Sequence, residues 1–148
     1  MADICREAET FTDYQAAYQL ARGTQEVPIA EAIASAAVKS AFDLRAALLV
    51  VLTETGRTAS YVAKYRPPCR VLTITANEQV ARQTLVWKGL FPLLVGSMIG
   101  TDSLVHRSIL AAKKLEMCRQ GDRVIITSGV VEGVTGTTNM LKIVEVDF

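Results

Sequence analysis

Ala46-Ala47-Leu48-Leu49-Val50-Val51-Leu52, followed at once by Thr53-Glu54-Thr55-Gly56-Arg57-Thr58, decides the fold of this chain. An unbroken apolar run rich in branched residues is what a strand covered on both faces requires, because every side chain must meet a dry neighbour. Arg45 and Glu54 bound the run, which is far below the ~20 residues a helix needs to cross a bilayer. A helix from about Thr58 to Tyr65 follows the turn and is stopped by Pro67-Pro68. The result is a strand, turn and helix of the kind that builds parallel sheets.

The pattern then repeats downstream. Arg70-Val71-Leu72-Thr73-Ile74-Thr75 reads as a second strand, and Asn77 as the N-cap of a helix running through Trp87 and ended by Lys88-Gly89. Leu90 to Val95 is a third strand, whose Pro92 predicts an edge position with one ladder bond missing. After a loop at Gly96 to Gly100, Asp102 is placed to cap a long helix. Its Val105, Ile109, Ala112 and Leu115 recur at helical spacing, and it stops near Gly121. Arg123 to Thr127 and Met140 to Val146 are the last two strands. The stretch between them is too short for a crossover helix, so they pair antiparallel. The predicted fold class is α/β: a mixed five-stranded, mostly parallel sheet with helices on both faces and the last strand antiparallel.

Upstream, Asp3 to Arg22 reads as one charged, partly amphipathic helix with Phe11, Tyr14 and Tyr18 about a turn apart. Gly23 stops it, and Val27-Pro28 opens a helix through Phe42 that is small and apolar around most of its circumference. Such a helix packs on two sides. Burial within its own domain and sharing with a neighbouring domain both remain open.

The 148 residues suit one main domain able to bury a core without staples. Half of them are apolar and the mean hydropathy is +0.26, so part of the apolar surface is expected to face a partner. A formal charge of +1, with acids and bases interspersed, sets up no field to gather nucleic acid. The charged N-terminus lacks the apolar core of a secretory signal, so a cytoplasmic location without membrane contact is expected. Cys5, Cys69 and Cys118 are odd in number and form no CxxC pair, which weighs against disulfides and zinc.

The lone His106 removes most catalytic constellations, having no cysteine or acid cluster near it in sequence, and reads as an ordinary surface or interface residue of the long helix. Thr53 to Thr58 is more informative. It joins a buried strand to a helix start, where free backbone N–H groups and the helix dipole favour an anion. Gly56 permits close backbone approach, and the threonines can donate. Gly129 and the run Gly133-Val134-Thr135-Gly136-Thr137-Thr138-Asn139 form a second glycine- and hydroxyl-rich loop, which a wide hairpin explains as readily as a ligand does. No Walker lysine follows either loop and there is no GxGxxG.

Several segments stand in one family order. Ile4 to Glu9, the helix Glu31 to Phe42, Val51-Leu52-Thr53-Glu54-Thr55-Gly56-Arg57-Thr58-Ala59, Val62-Ala63-Lys64-Tyr65-Arg66-Pro67, Ala81-Arg82-Gln83 with Lys88-Gly89-Leu90-Phe91-Pro92, Gly121-Asp122 and Gly136-Thr137-Thr138-Asn139 resemble pyruvate kinase. The LTxxGRTA and KGxFP segments make the resemblance specific, and it runs from about Asp3 to the last residue. It implies a homotetramer transferring phosphate from phosphoenolpyruvate to ADP in glycolysis, with magnesium and potassium as cofactors of the full-length enzyme and none in these residues. The catalytic parts would lie on a barrel domain outside this chain. Residues 1–22 would be the helix linking to it, and 23–148 the C-terminal regulatory domain, which forms a subunit interface and holds a phosphorylated sugar.

By the same resemblance, Thr53, Glu54, Thr55, Gly56, Arg57 and Thr58 would cradle one phosphate, and Gly133, Thr135, Gly136, Thr137 and Thr138 would close over the sugar. Such a site exists only if the two turns meet in space. Two departures from the family pattern matter. Glu54 stands where some fructose-1,6-bisphosphate responders have lysine, and a carboxylate about 4 Å from a phosphate costs roughly 4 kcal/mol per unit charge at a surface-like dielectric. Gly96 to Ser103 is short and lacks the tryptophan and arginine that grip the second phosphate. A singly phosphorylated sugar, or no activator at all, fits at least as well as the bisphosphate.

Overall fold

The computed structural model describes residues 1–129 and 138–147. In chain order the elements are α1 (Ala2–Glu9), α2 (Tyr14–Arg22), α3 (Ile29–Leu44), β1 (Leu48–Leu52), α4 (Arg57–Lys64), β2 (Arg70–Thr75), α5 (Glu78–Thr84), β3 (Leu90–Leu94), α6 (Thr101–Lys114), β4 (Arg123–Gly129) and β5 (Thr138–Glu145). The strands lie in the order β3-β2-β1-β4-β5. All neighbours are parallel except β4 and β5, which are antiparallel. The expected architecture is therefore the observed one.

Every residue of β1 is buried, because the strand sits in the middle of the sheet with helices above and below. Leu49 and Val51 point to one face and join Val71, Ile125, Ala34, Val38, Ala59 and Val62 in a core under α3 and α4. Leu48, Val50 and Leu52 point to the other and meet Leu72, Ile74, Ile126 and, from α6, Leu104, Ile109 and Ala112. Pro92 pairs with Thr73 on the outer strand β3, where its missing N–H faces no neighbour.

The alanine-rich α3 does pack on two sides. Ala34, Ala37, Val38 and Ala41 are buried. Tyr18 of α2, only 4% exposed, approaches Ser35 with its hydroxyl (3.0 Å to Oγ) and sets its ring 6.0 Å from that of Phe42. Both sides are occupied within this chain.

Of the boundaries that differ from the sequence reading, four matter most. The single helix over Asp3 to Arg22 is two: the Thr10 hydroxyl bonds back to the Glu7 carbonyl, and Asp13 caps α2 by accepting from the Ala16 amide at 3.0 Å. A short polar residue offering its own acceptor competes with the helical ladder. The helix begun by Asn77 stops at Thr84, short of Trp87. Beyond it the Leu85, Val86 and Trp87 amides reach back three residues in tighter turns. Asp102 does not cap α6. Gly100 occupies that position at φ +80, and Asp102 in the first turn pairs with Lys142 at 3.3 Å. That helix ends at Lys114, well before Gly121. Among the described residues no helix is long and apolar enough to cross a membrane.

Candidate anion site at the carboxyl ends of the strands

From β1 the chain steps outward through β2 to β3, then returns through α6 to β4 on the other flank of β1. Between β1 and β4 the order therefore reverses, and in open α/β sheets the crevice beyond the carboxyl ends at such a reversal is where ligands bind. The turn Thr53 to Gly56 leaves β1 there, and β4 ends at Gly129 alongside it.

The turn is held by its own hydroxyls. Thr53 is buried, and its Oγ1 accepts from the Gly56 amide at 2.9 Å, while Thr55 Oγ1 accepts from the Arg57 amide at 3.4 Å. Gly56 has φ +80, a conformation that favours glycine, and a Cβ there would lie 3.3 Å from Val80 Cγ1, which would have to give by a few tenths of an ångström. α4 begins immediately afterwards, and the amides of its first turn, through Ala59, have no intrahelical acceptor. Their partial positive charge favours an anion in front of them.

Thr58 turns inward, 5% exposed, and its Oγ1 lies 2.8 Å from Thr138 Oγ1. Thr138 opens β5 and pairs with Gly129. The first predicted turn thus touches the carboxyl-side foot of the second predicted loop across eighty positions of sequence. Gly133, Thr135, Gly136 and Thr137 lie outside the described residues. Just before Gly129, Thr127 and Ser128 bury hydroxyls that have no hydrogen-bonding partner among the described residues. Buried hydroxyls normally find one.

Not all of the predicted turn faces the same way. Glu54 and Thr55 line an open groove of ≈ 760 Å³, together with Asn77 and Glu78 from the end of β2 and Ser97, Met98 and Ile99 after β3. Arg57 is exposed at the helix start. The groove carries two carboxylates and no basic side chain among its lining residues. It suits the neutral body of a ligand better than a second phosphate. Glu78 and Ser97 to Ile99 were not foreseen as site residues. Their signal was available in the strand order, because three adjacent parallel strands bring the segments that follow them to one edge. His106 is exposed on α6, as expected of a surface residue.

Glu31, Lys64 and Tyr65 tie the far end of α4 to α3. Glu31 Oε1 accepts from Lys64 Nζ at 2.6 Å and from the Tyr65 hydroxyl at 3.1 Å. The Lys64 ammonium, helped by that hydroxyl and opposed by burial, holds the Glu31 carboxyl below its ordinary range. Burial first, then Glu31, pushes the Tyr65 phenol up.

Comparison with known proteins accords with this arrangement. The sequence profile of "Pyruvate kinase, alpha/beta domain" matches residues 31–144. A pyruvate kinase of Dictyostelium discoideum is 44% identical over 99% of this chain, and one of Eimeria tenella is 39% identical over 99%. The chain spans only 30% and 28% of those proteins. A Cryptosporidium parvum pyruvate kinase solved in complex with ADP superposes with a TM-score of 0.89 at 34% identity, covering 97% of this chain and 29% of that one. With profile match, sequence identity and superposition in agreement, the chain belongs to the pyruvate kinase family, in which it corresponds to the alpha/beta domain.

Proposed function

We propose that this chain is the regulatory and assembly domain of a pyruvate kinase, and that its strand-end site takes a singly phosphorylated sugar. In this reading the phosphate sits before the first turn of α4, held by the amides there, the hydroxyls of Thr53, Thr55 and Thr58, and Arg57. The loop from Gly133 to Thr138 covers the sugar. The observation that supports the reading is the 2.8 Å approach of Thr58 to Thr138, the first described residue after the second loop, where the strand order reverses. The open groove lined by Glu54 and Glu78 supports one phosphate over two, since a second would be left against carboxylates.

The larger protein would transfer phosphate from phosphoenolpyruvate to ADP on a separate barrel domain, as a cytoplasmic homotetramer. Magnesium and potassium would belong to that barrel. Among the described residues no group of three or more His, Cys, Asp or Glu is placed to hold a metal ion. The free edge of β5 and the exposed Met1, Ile4, Phe11, Leu20 and Ile29 are the surfaces on which this domain would meet other subunits and the barrel.

Titration of glucose 6-phosphate and fructose 1,6-bisphosphate into the chain by calorimetry tests the site. Saturable heat with the monophosphate and weaker binding of the bisphosphate are expected. A Thr55→Glu change, which sets a carboxylate beside the amides, should remove that heat. Silence from every hexose phosphate at millimolar ligand would leave a subunit-packing domain with an inert pocket, a reading the two groove carboxylates also favour. No turnover of phosphoenolpyruvate by the chain alone is expected in either case.

A further inference from the structure

The first helix, α1, is fastened to the rest of the chain at one point. None of its residues is buried. Among the described residues a single ion pair joins its side chains to the sheet and the helices around it: Glu9 Oε1 lies 3.3 Å from Lys88 Nζ. Its other charged pair, Arg6 with Asp3, is internal to the helix. Beside the contact runs a groove of ≈ 550 Å³, lined by Glu9 and Tyr14 from the N-terminal segment and by Pro67, Trp87 and Lys88 from the body of the domain. The helix therefore spans open space more than it packs.

The sequence sets a hinge and an anchor on either side of that contact. Beyond Glu9 the Thr10, Phe11 and Thr12 amides reach back only three residues, to Glu7, Ala8 and Glu9. Asp13 then takes extended backbone at ψ 91 before α2 begins. The helical ladder is interrupted there, and a few residues at the ends of elements are what absorb the torsional change of a hinge. On the other side, Lys88 stands in the turn before β3. Its neighbour Gly89 accepts from the Val71 amide at 3.0 Å, and Trp87 packs on the core under α3 and α4. From that fixed base the Lys88 ammonium donates to the Tyr14 hydroxyl at 3.4 Å and lies 5.5 Å from the centre of the Tyr14 ring. One lysine thus touches both sides of the break, α1 through Glu9 and α2 through Tyr14.

The two contacts differ in how easily they open. Lys88 and Glu9 keep 47% and 45% of their side-chain exposure, and a pair so open to water favours its closed form by about fivefold at most. The Tyr14 contact rests partly on the ring face, and it keeps the ammonium in place when Glu9 departs. We propose that Lys88 is a latch: its pair with Glu9 holds α1 in one orientation, and when the pair is screened α1 swings about residues 10–13, carrying the exposed Met1 and Ile4 to a new position.

Cys5 lies one helical turn before Glu9 and is the exposed cysteine of the three, so it accepts a thiol-directed acceptor dye. Trp87, the single tryptophan, is the donor beside the latch. Energy transfer from Trp87 to the dye should change as sodium chloride is raised to about 1 M, where charges more than about 3 Å apart are screened. Lys88→Met, which keeps the stem and removes the charge, should show the parent's high-salt transfer already at low salt, with no further response. Glu9→Gln should behave alike. In both, the share of swung-out helix resolved in the donor decay should rise by up to about fivefold. Exchanging the charges, as Glu9→Lys with Lys88→Glu, should restore both the transfer and its salt dependence, which a merely structural loss at residue 88 would not allow. Unchanged circular dichroism would certify the fold of each variant. The proposal is overturned if Lys88→Met keeps the parent's low-salt transfer, if its salt response persists, or if the exchanged pair behaves as the single variants do.

Discussion

Glu31 is a carboxylate 6% exposed among the small side chains of α3, and it is tolerable there because two donors from the end of α4 meet it. Its pKa, held below the ordinary value, fixes the sign of a pH effect. Above the ordinary value of 4.5 the folded and unfolded carboxyl are both ionised, and the ion pair contributes fully. As pH falls through the depressed folded value that contribution disappears. Stability measured by urea should accordingly drop as pH falls below the ordinary 4.5, and Glu31→Gln should flatten that part of the curve. Glu31→Ala should cost about 1–3 kcal/mol at neutral pH, chiefly by orphaning the buried Tyr65 hydroxyl. Equal acid sensitivity in the parent and the Gln variant would show that the pair does not govern this range. At the entrance to β2, burial pushes the Cys69 thiol up to about 12, so it is protonated at neutral pH.

The two N-terminal helices make unequal contributions. α1 buries none of its residues, whereas α2 inserts Tyr18 between Phe42 and Tyr65, with ring centres 6.0 and 5.6 Å away. Tyr18→Ala should therefore destabilise the chain by about 3–5 kcal/mol, the range for emptying an aromatic site. Deleting residues 1–9 should change the denaturation midpoint little. A large loss from that deletion would mean α1 packs more firmly than its exposure indicates. Such differences mark the limit of what was legible in the sequence. The strands from Leu48 to Leu52 and from Arg70 to Thr75 were plain because burial on both faces writes itself as unbroken apolar composition. The cap at Asn77 was plain because its side chain serves its own amides. The break at Thr10, the early end of α5 and the capping of α6 by Gly100 were not, since each turns on a competition between nearby hydrogen bonds that composition does not rank. In the site, the turn from Thr53 to Thr58 could be read from local pattern. Its contact with Thr138 and the groove beside Glu78 came only with the strand order.

Across the whole molecule, β1 is flanked by β2, made soon after it, and by β4, made near the end: Leu48 pairs with both Arg70 and Val124. A chain ending at Gly121 would lose β4 and β5 and leave the most apolar strand with an open side. Such a truncation should collect in the insoluble fraction on expression, while the full chain remains in solution. Recovery of a soluble, cooperatively unfolding truncation would show that β1 and β2 with their helices suffice. The same arrangement sets a timetable for birth on the ribosome. Residues 48–52 emerge with nothing to cover one flank until the segment from Arg123 has been translated, so the nascent domain carries an unpaired apolar edge throughout that interval.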